Sequence, residues 1–301
     1  MSKDLPDLLS LLDSWLVDLR GERKSPSTLR GYRAAVAGFL GFCAERGRPA
    51  ELSRDNVVAY MARRAGAPSS ARLQLTVLKL FAKWLAAQDE TEFDAAPVVA
   101  VKMPKADQPA VPNLSDNELA RLVKACEGRK PNDKRDKALV VLFAETGLRA
   151  AEMLALDVGD VDVIGCQAHV IRGRGGKTRR VRFSPGAAAT LDRWLRARRS
   201  VVARPAERPL WIARGGERLS YTGLRYALSQ RAAAAGVSGF HLHRLRHTAA
   251  TRWLRAGGSE TGLMTHAGWS SIAMVDRYAK AASEQLAAEE FDRLGLGVTE
   301  L

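Results

Sequence analysis

The stretch IRGRGGKTRRVRF, residues 171–183, interrupts a chain whose apolar residues otherwise recur at helical spacing. Its Gly175 and Gly176 sit where a tight turn between two extended runs needs backbone freedom. Outward from this turn, Val161, Val163, His169, Ile171, Val181 and Phe183 read as strand positions over residues 157–183, and everything after them reads as helix. The expected fold is mainly α with a small β-sheet. Residues 172–182 also hold Arg172, Arg174, Lys177, Arg179, Arg180 and Arg182 with no acidic residue among them. Cations crowded on a narrow ribbon repel one another unless an anion lies alongside, so the hairpin reads as a phosphate contact rather than a charge-guarded sheet edge.

The composition agrees with a polyanionic partner. The 301 residues are 46% hydrophobic and 27% charged, which fits a globular chain of two domains, and the net charge is +14. Residues 1–112 carry 16 basic and 13 acidic side chains, whereas residues 113–301 carry 31 and 20, placing the main anion-binding surface in the C-terminal two-thirds. No apolar run reaches the roughly 20 residues that span a bilayer, and MSKDLPDLLS lacks the order of a signal peptide, so a cytoplasmic protein with no membrane partner is expected. Cys43, Cys126 and Cys166 are far apart and form no CxxC pair, which indicates neither a disulfide framework nor a cysteine zinc site.

Residues 98–112, VVAVKMPKADQPAVP, contain three prolines and no helical period, and the linker is placed at 102–112. Upstream, residues 1–101 read as four helices. Leu8, Leu12, Trp15, Leu16 and Leu19 share a face of the first, Ser25 or Ser27 caps the second, Ser53 starts the third, and SSARLQLTVLKLFAKWLAAQ forms the fourth. Downstream, Ser115 and Glu118 form a capping-box pattern, and DKRDKALVVLFAETGLRAAEMLAL gives a long helix broken at Thr146 and Gly147.

Three further segments carry chemistry. In FHLHRLRHTAATRWL, residues 240–254, His243 and Arg246 stand three apart and share a helix face. Arg246 can bind phosphate oxygens at two points, and His243 exchanges a proton near neutral pH. His243 and His247 have the spacing of a metal pair, but no Asp or Glu accompanies them as in HExxH, so no metal is expected. In ETGLRAAEMLAL, residues 145–156, Arg149 opens an Ala- and Leu-rich helix, with Glu145 or Glu152 as its possible internal ion-pair partner. In WSSIAMVDRYAKA, residues 269–281, Tyr278 follows Trp269 by nine positions.

Taken in order, TGLRxxE, a lysine at a glycine hairpin, HxLRH, AGWSS and the tyrosine resemble the tyrosine recombinase (phage integrase) family, which includes Cre, Xer and lambda integrase. The likeness covers nearly the whole chain; it leaves open service to a phage or mobile element or the resolution of chromosome or plasmid multimers as by Xer proteins, with the segment from AGGSE to the tyrosine looking closer to integrases of actinobacterial phages. It implies an N-terminal all-α core-binding (SAM-like) domain over 1–101, an α+β catalytic domain over 113–280, and a tail helix over 281–301 for protomer contact. It makes Arg149 and Arg246 phosphate clamps, Lys177 the hairpin lysine, His243 the motif histidine and Tyr278 the nucleophile, with Glu152 and His247 in support. Trp269 takes a position that is His in many members and Trp in Cre, which removes a titratable group and leaves an indole donor.

The implied function is site-specific recombination of double-stranded DNA through a 3′-phosphotyrosyl intermediate and a Holliday junction. The implied partners are short inverted-repeat core sites and a homo-tetramer on DNA, with no cofactor. A type IB topoisomerase and a catalytically silent DNA-binding regulator are the alternatives. Expected DNA contacts are Thr28, Arg30, Arg33, Arg72, Lys79 and Lys83 in the N-terminal part, with Arg172, Arg174, Arg179 and Arg244 in the C-terminal part. The chain starts almost directly in its first domain, so no extra arm-binding domain is expected, and Leu286, Ala287, Phe291 and Leu294 give the tail an apolar stripe.

Overall fold

The computed structural model describes residues 7–63, 68–88, 92–104, 113–171, 178–202, 208–269, 275, 287, 291 and 294–295, and the chain divides into two compact units, Met1–Pro109 and Ala110–Leu301. Among the described residues no helix is long and apolar enough to cross a membrane.

The first unit is helical because its apolar positions recur at three and four, and its first two helix starts are capped. Helix α1 (Leu8–Gly21) begins at Asp7, whose carboxylate accepts from the Leu9 amide at 3.0 Å. Helix α2 (Pro26–Glu45) begins at Ser25, whose hydroxyl accepts from the Thr28 amide at 3.1 Å, and Pro26 supplies a pre-set φ in the first turn. Helices α3 (Arg54–Arg63) and α4 (Pro68–Ala86) complete the bundle. Its centre is aromatic: the Trp15 ring stacks on Tyr32 at 5.4 Å and lies 5.0 Å from Phe81, and the indole N–H of Trp84 reaches Asp18 at 2.7 Å.

A fifth helix, α5 (Ala96–Val99), was not expected from the sequence. The proline-containing stretch starting at residue 98 has no helical period in sequence, yet its first residues belong to this unit, because Val98 and Val101 are buried in the bundle core. Single apolar residues spaced by three over one short turn leave too little periodicity to read.

The second unit starts with α6 (Asp116–Ala125), whose capping box is formed in both directions between Ser115 and Glu118. Helix α7 (Pro131–Thr146) is buried along most of its length and packs against α9 (Pro185–Arg198) and α11 (Leu242–Arg255). It ends at Gly147, in the left-handed region at φ 59°, and α8 (Ala150–Ala155) follows. The sheet is three-stranded and antiparallel in the order β1 (Val161–Asp162), β2 (Gln167–Ile171), β3 (Thr178–Arg182), with Ala168 opposite Val181.

Two strand positions need correction. Val163 lies in the β1–β2 turn and Phe183 just beyond β3. On β2 the buried face is Ala168 and Val170, whereas Ile171 is exposed.

Nor is everything after β3 helical. Residues 208–219, between α9 and α10 (Tyr221–Ala234), run as irregular chain with two isolated bridges, Asp157 to Pro209 and Ile212 to Arg218. Consecutive Leu210, Trp211 and Ile212 are all buried there, and the Trp194 indole N–H donates to the Leu210 carbonyl at 3.0 Å. A fully buried short run has no periodicity to tell strand from helix. Helix α12 (Glu260–Ala267) is capped by Gly268, again left-handed at φ 68°, and the continuously described chain runs on to Trp269.

Helix α7 is the central strut of the second unit, with Phe143 about 1% exposed inside its core. Phe143→Ala is expected to cost about 3–5 kcal/mol by loss of contacts and an unfilled cavity. Chemical denaturation checks this, and a change under about 1 kcal/mol would contradict the packing described.

Candidate active site

Two helix ends and one helix face converge in the second unit. At the α7–α8 junction the left-handed Gly147 turns the chain so that Arg149 occupies the N-cap of α8. A side chain at Gly147 would meet the Ala249 Cβ at 3.2 Å in a backbone region that non-glycine residues avoid. The Arg149 amide donates to Glu152 Oε2 at 2.9 Å, and its guanidinium donates from Nη1 to Glu152 Oε1 at 3.2 Å and to the Gly268 carbonyl at 2.9 Å. The Arg149 side chain is 37% exposed, so it is reachable from solvent. Of its two possible acidic partners Glu152 is the one used, while Glu145 accepts instead from the Ser184 amide and hydroxyl at 2.7 and 2.8 Å.

Helix α11 supplies His243 and Arg246. Arg246 is buried, donates to the Gly147 carbonyl, and holds its guanidinium carbon 5.1 Å from the centre of the Trp269 ring. Trp269 is itself buried among Ala250, Leu263, Ala267 and Val275, and its amide donates to the Met264 carbonyl at 2.9 Å. His243 is solvent-accessible, with its ring 5.4 Å from that of half-buried His247. Partial loss of water around the His243 ring, then the positive charges of Arg246, His241 and Arg149, hold its pKa below the usual 6.5.

A third arginine closes the arrangement. Arg179 on β3 forms a two-point ion pair with Glu152, at 3.0 and 2.9 Å, and donates to the carbonyls of His266 at 3.1 Å and Ala267 at 3.4 Å. Burial pushes the Glu152 carboxyl up, but the Arg179 hydrogen bonds, the Arg149 amide and the two guanidinium charges together bring it below the usual carboxylate value. Gly268 makes room for this packing, since a Cβ there would lie 2.5 Å from the Arg179 guanidinium carbon.

Arg149, Glu152, His243, Arg246, His247 and Trp269 are therefore brought together. Lys177, Tyr278, Arg172 and Arg174 lie outside the described residues.

Two of the arginines expected at phosphate have their donors engaged within the protein. Arg179 has a side chain 11% exposed and directs its donors inward. Arg244 is also buried and donates to the carbonyls of Ser238 at 2.6 Å and Asn113 at 2.9 Å and to Glu118 at 3.3 Å. A guanidinium removed from water needs acceptors on most of its donors, and here backbone and carboxylate supply them.

In the first unit Arg30 and Lys83 are exposed, Thr28 bonds Ser25 through its hydroxyl at 2.8 Å, and Arg33 pairs with Asp13. Arg72 and Lys79 donate to the carbonyls of Pro104 at 2.7 Å and Val101 at 2.5 Å, so each also ties the end of this unit to α4. Sequence reasoning missed the carbonyls of Gly147 and Gly268. The glycines themselves, each just past an apolar helical run, were the available signal.

Comparison with known proteins bears on this geometry. The family described as "Phage integrase family" matches residues 112–285, and "Phage integrase, N-terminal SAM-like domain" matches residues 11–92. The tyrosine recombinase XerC of Shewanella amazonensis is 31% identical over 291 residues, covering 94% of this chain and 95% of that protein. Among solved structures, XerH bound to a palindromic difH substrate in a post-cleavage complex aligns with a TM-score of 0.74 at 15% identity, over 93% of this chain and 83% of that one. A lambda integrase tetramer bound to a Holliday junction aligns with a TM-score of 0.70 at 18% identity, over 92% and 78%. The match over residues 112–285 and the full-length likeness to a XerC place this chain in the phage integrase family of tyrosine recombinases, enzymes that cleave and rejoin DNA.

Proposed function

We propose that the protein is a site-specific recombinase that exchanges strands of double-stranded DNA through a 3′-phosphotyrosyl intermediate. The observation that carries this reading is the pair of guanidiniums, Arg149 and Arg246, set beside His243 and held by carbonyls from each other's neighbourhood. Two fixed cations around one phosphodiester stabilise the charge that builds on its non-bridging oxygens, worth about 3–4 kcal/mol per donor in comparable sites.

In this reading Tyr278 attacks phosphorus and displaces the 5′-oxygen, forming one P–O bond as another breaks. His243 accepts the phenolic proton, and Lys177 protonates the leaving oxygen. The phosphotyrosyl bond conserves the energy for rejoining, and the cationic side chains carry the charge stabilisation that a metal supplies in other phosphoryl-transfer sites. Trp269 packs under Arg246 and fixes its plane.

The segment 1–101 grips the core site, largely through phosphates, with Arg30 and Lys83 as its exposed cations. The enzyme works as a homo-tetramer on two short inverted-repeat sites, in the cytoplasm, with a Holliday junction between rounds. XerH on a palindromic substrate and the lambda integrase tetramer on a junction support this by analogy. The tail over 281–301 fits a neighbouring protomer, since Phe291 and Leu294 are helical and more than half exposed.

A nicked suicide duplex carrying the protein's site is expected to trap the wild type as an SDS-resistant band and to leave Tyr278→Phe bound but untrapped. Equal trapping by the Phe variant would assign the nucleophile elsewhere. Two-site exchange, rather than relaxation of a single-site supercoiled plasmid, separates this reading from a topoisomerase.

The His243 shift gives a pH dependence. A histidine with a depressed pKa stays neutral at neutral pH and loses its acceptor only as pH falls further, so the second-order cleavage rate should drop on the acid side with a midpoint below 6.5. His243→Gln should remove that limb; an acid limb unchanged in the variant would contradict the role.

A further inference from the structure

Glu152 presents a problem for a phosphate clamp. Its carboxylate is 91% buried by side-chain area, caps α8 through the Arg149 amide, and lies 3.2 Å from the guanidinium that must attract an anion. A negative charge at that distance offsets much of the field that Arg149 presents to an approaching anion, because the two charges are opposite and close. A cap alone does not require charge, since a neutral Gln accepts the same amide bond.

Arg179 occupies the other side of the carboxylate. It takes both Glu152 oxygens in a fork at 3.0 and 2.9 Å, whereas the Arg149 side chain touches one oxygen from one nitrogen. It also covers the carbonyls of His266 and Ala267, at the negative end of α12. Arg149 and Arg179 with Glu152 sum to one positive charge, and without Arg179 the remaining pair sums to zero.

We propose that Arg179 is a positioning residue whose charge neutralises Glu152 and the end of α12, leaving the charge of Arg149 available to the DNA phosphate. The inference rests on the reading of Arg149 as a clamp. It assigns a task to an arginine that the charge count of the hairpin alone would have aimed at DNA. The competing explanation is mechanical: Arg179 does no more than tie β3 to α12.

Single-turnover covalent trapping on the suicide duplex, at saturating full-length protein, separates the two. Arg179→Met should slow trapping at least about tenfold, a part of the roughly 100- to 1,000-fold lost with a whole charge-stabilising donor. Adding Glu152→Gln to Arg179→Met should recover most of that rate, because the uncompensated carboxylate is gone while the cap remains. Arg179→Lys should also keep most of the rate, since it keeps the charge without the fork.

A double variant as slow as Arg179→Met, or an Arg179→Met rate equal to wild type, would overturn the proposal. Thermal melts accompany each variant. If Arg179→Met does not fold, the double variant and Arg179→Lys still decide, because neither leaves a buried charge unmatched. Arg149→Ala in the same series isolates the underlying reading: wild-type trapping by that variant would sink the clamp itself, whereas a dead Arg149→Ala beside an unrecovered double variant would sink only the role of Arg179.

Discussion

The catalytic unit is organised by two backbone carbonyls at left-handed helix ends. Gly147 offers its carbonyl to Arg246 and Gly268 offers its carbonyl to Arg149, so each arginine is held by the chain turn next to the other's supporting residues. Both glycines have positive φ and stand where a Cβ would crowd a neighbour. A carbonyl fixed in a helix cap moves little, so it orients a guanidinium better than a surface side chain could. The α7–α8 turn, α11 and α12 are in this way tied into one frame, the pre-organisation that the proposed stabilisation of a transition state demands.

The rest of the second unit maintains that frame. Apolar packing of α7 against α9 and α11 fixes where α11 presents His243 and Arg246. Two further cations of this unit are paired internally: Arg231 with Asp133 at 2.7 Å and Asp136 at 3.0 Å, and Arg244 with carbonyls and Glu118. Their charge is thereby matched where water is partly or wholly excluded.

Much of the fold was legible because periodicity and caps are local. The stripe Leu8, Leu12, Trp15, Leu16, Leu19, a serine cap at 25 or 27 that the structure assigns to Ser25, the Ser115–Glu118 box and the break at Gly147 all follow from neighbours within four residues. What failed was the non-local part. Leu210, Trp211 and Ile212 form a buried irregular run packed beside α9, and α5 is too short to display a period. Arg179 and Arg244 looked like free cations because a count of charge along the chain cannot see Glu152 and Glu118, which come from distant positions in sequence. At the site, residue types and order pointed to Arg149, His243, Arg246 and Trp269, but the carbonyl braces depend on tertiary approach and leave only two glycines as a trace.

The central claim is that this frame activates one phenol, on the segment that follows Trp269, against a phosphodiester. Mass mapping of the protease-digested covalent complex with suicide DNA tests it most directly. The account predicts a nucleotide adduct on the peptide containing Tyr278; an adduct on any other peptide, or a trapped complex whose Tyr278 peptide is unmodified, would contradict it.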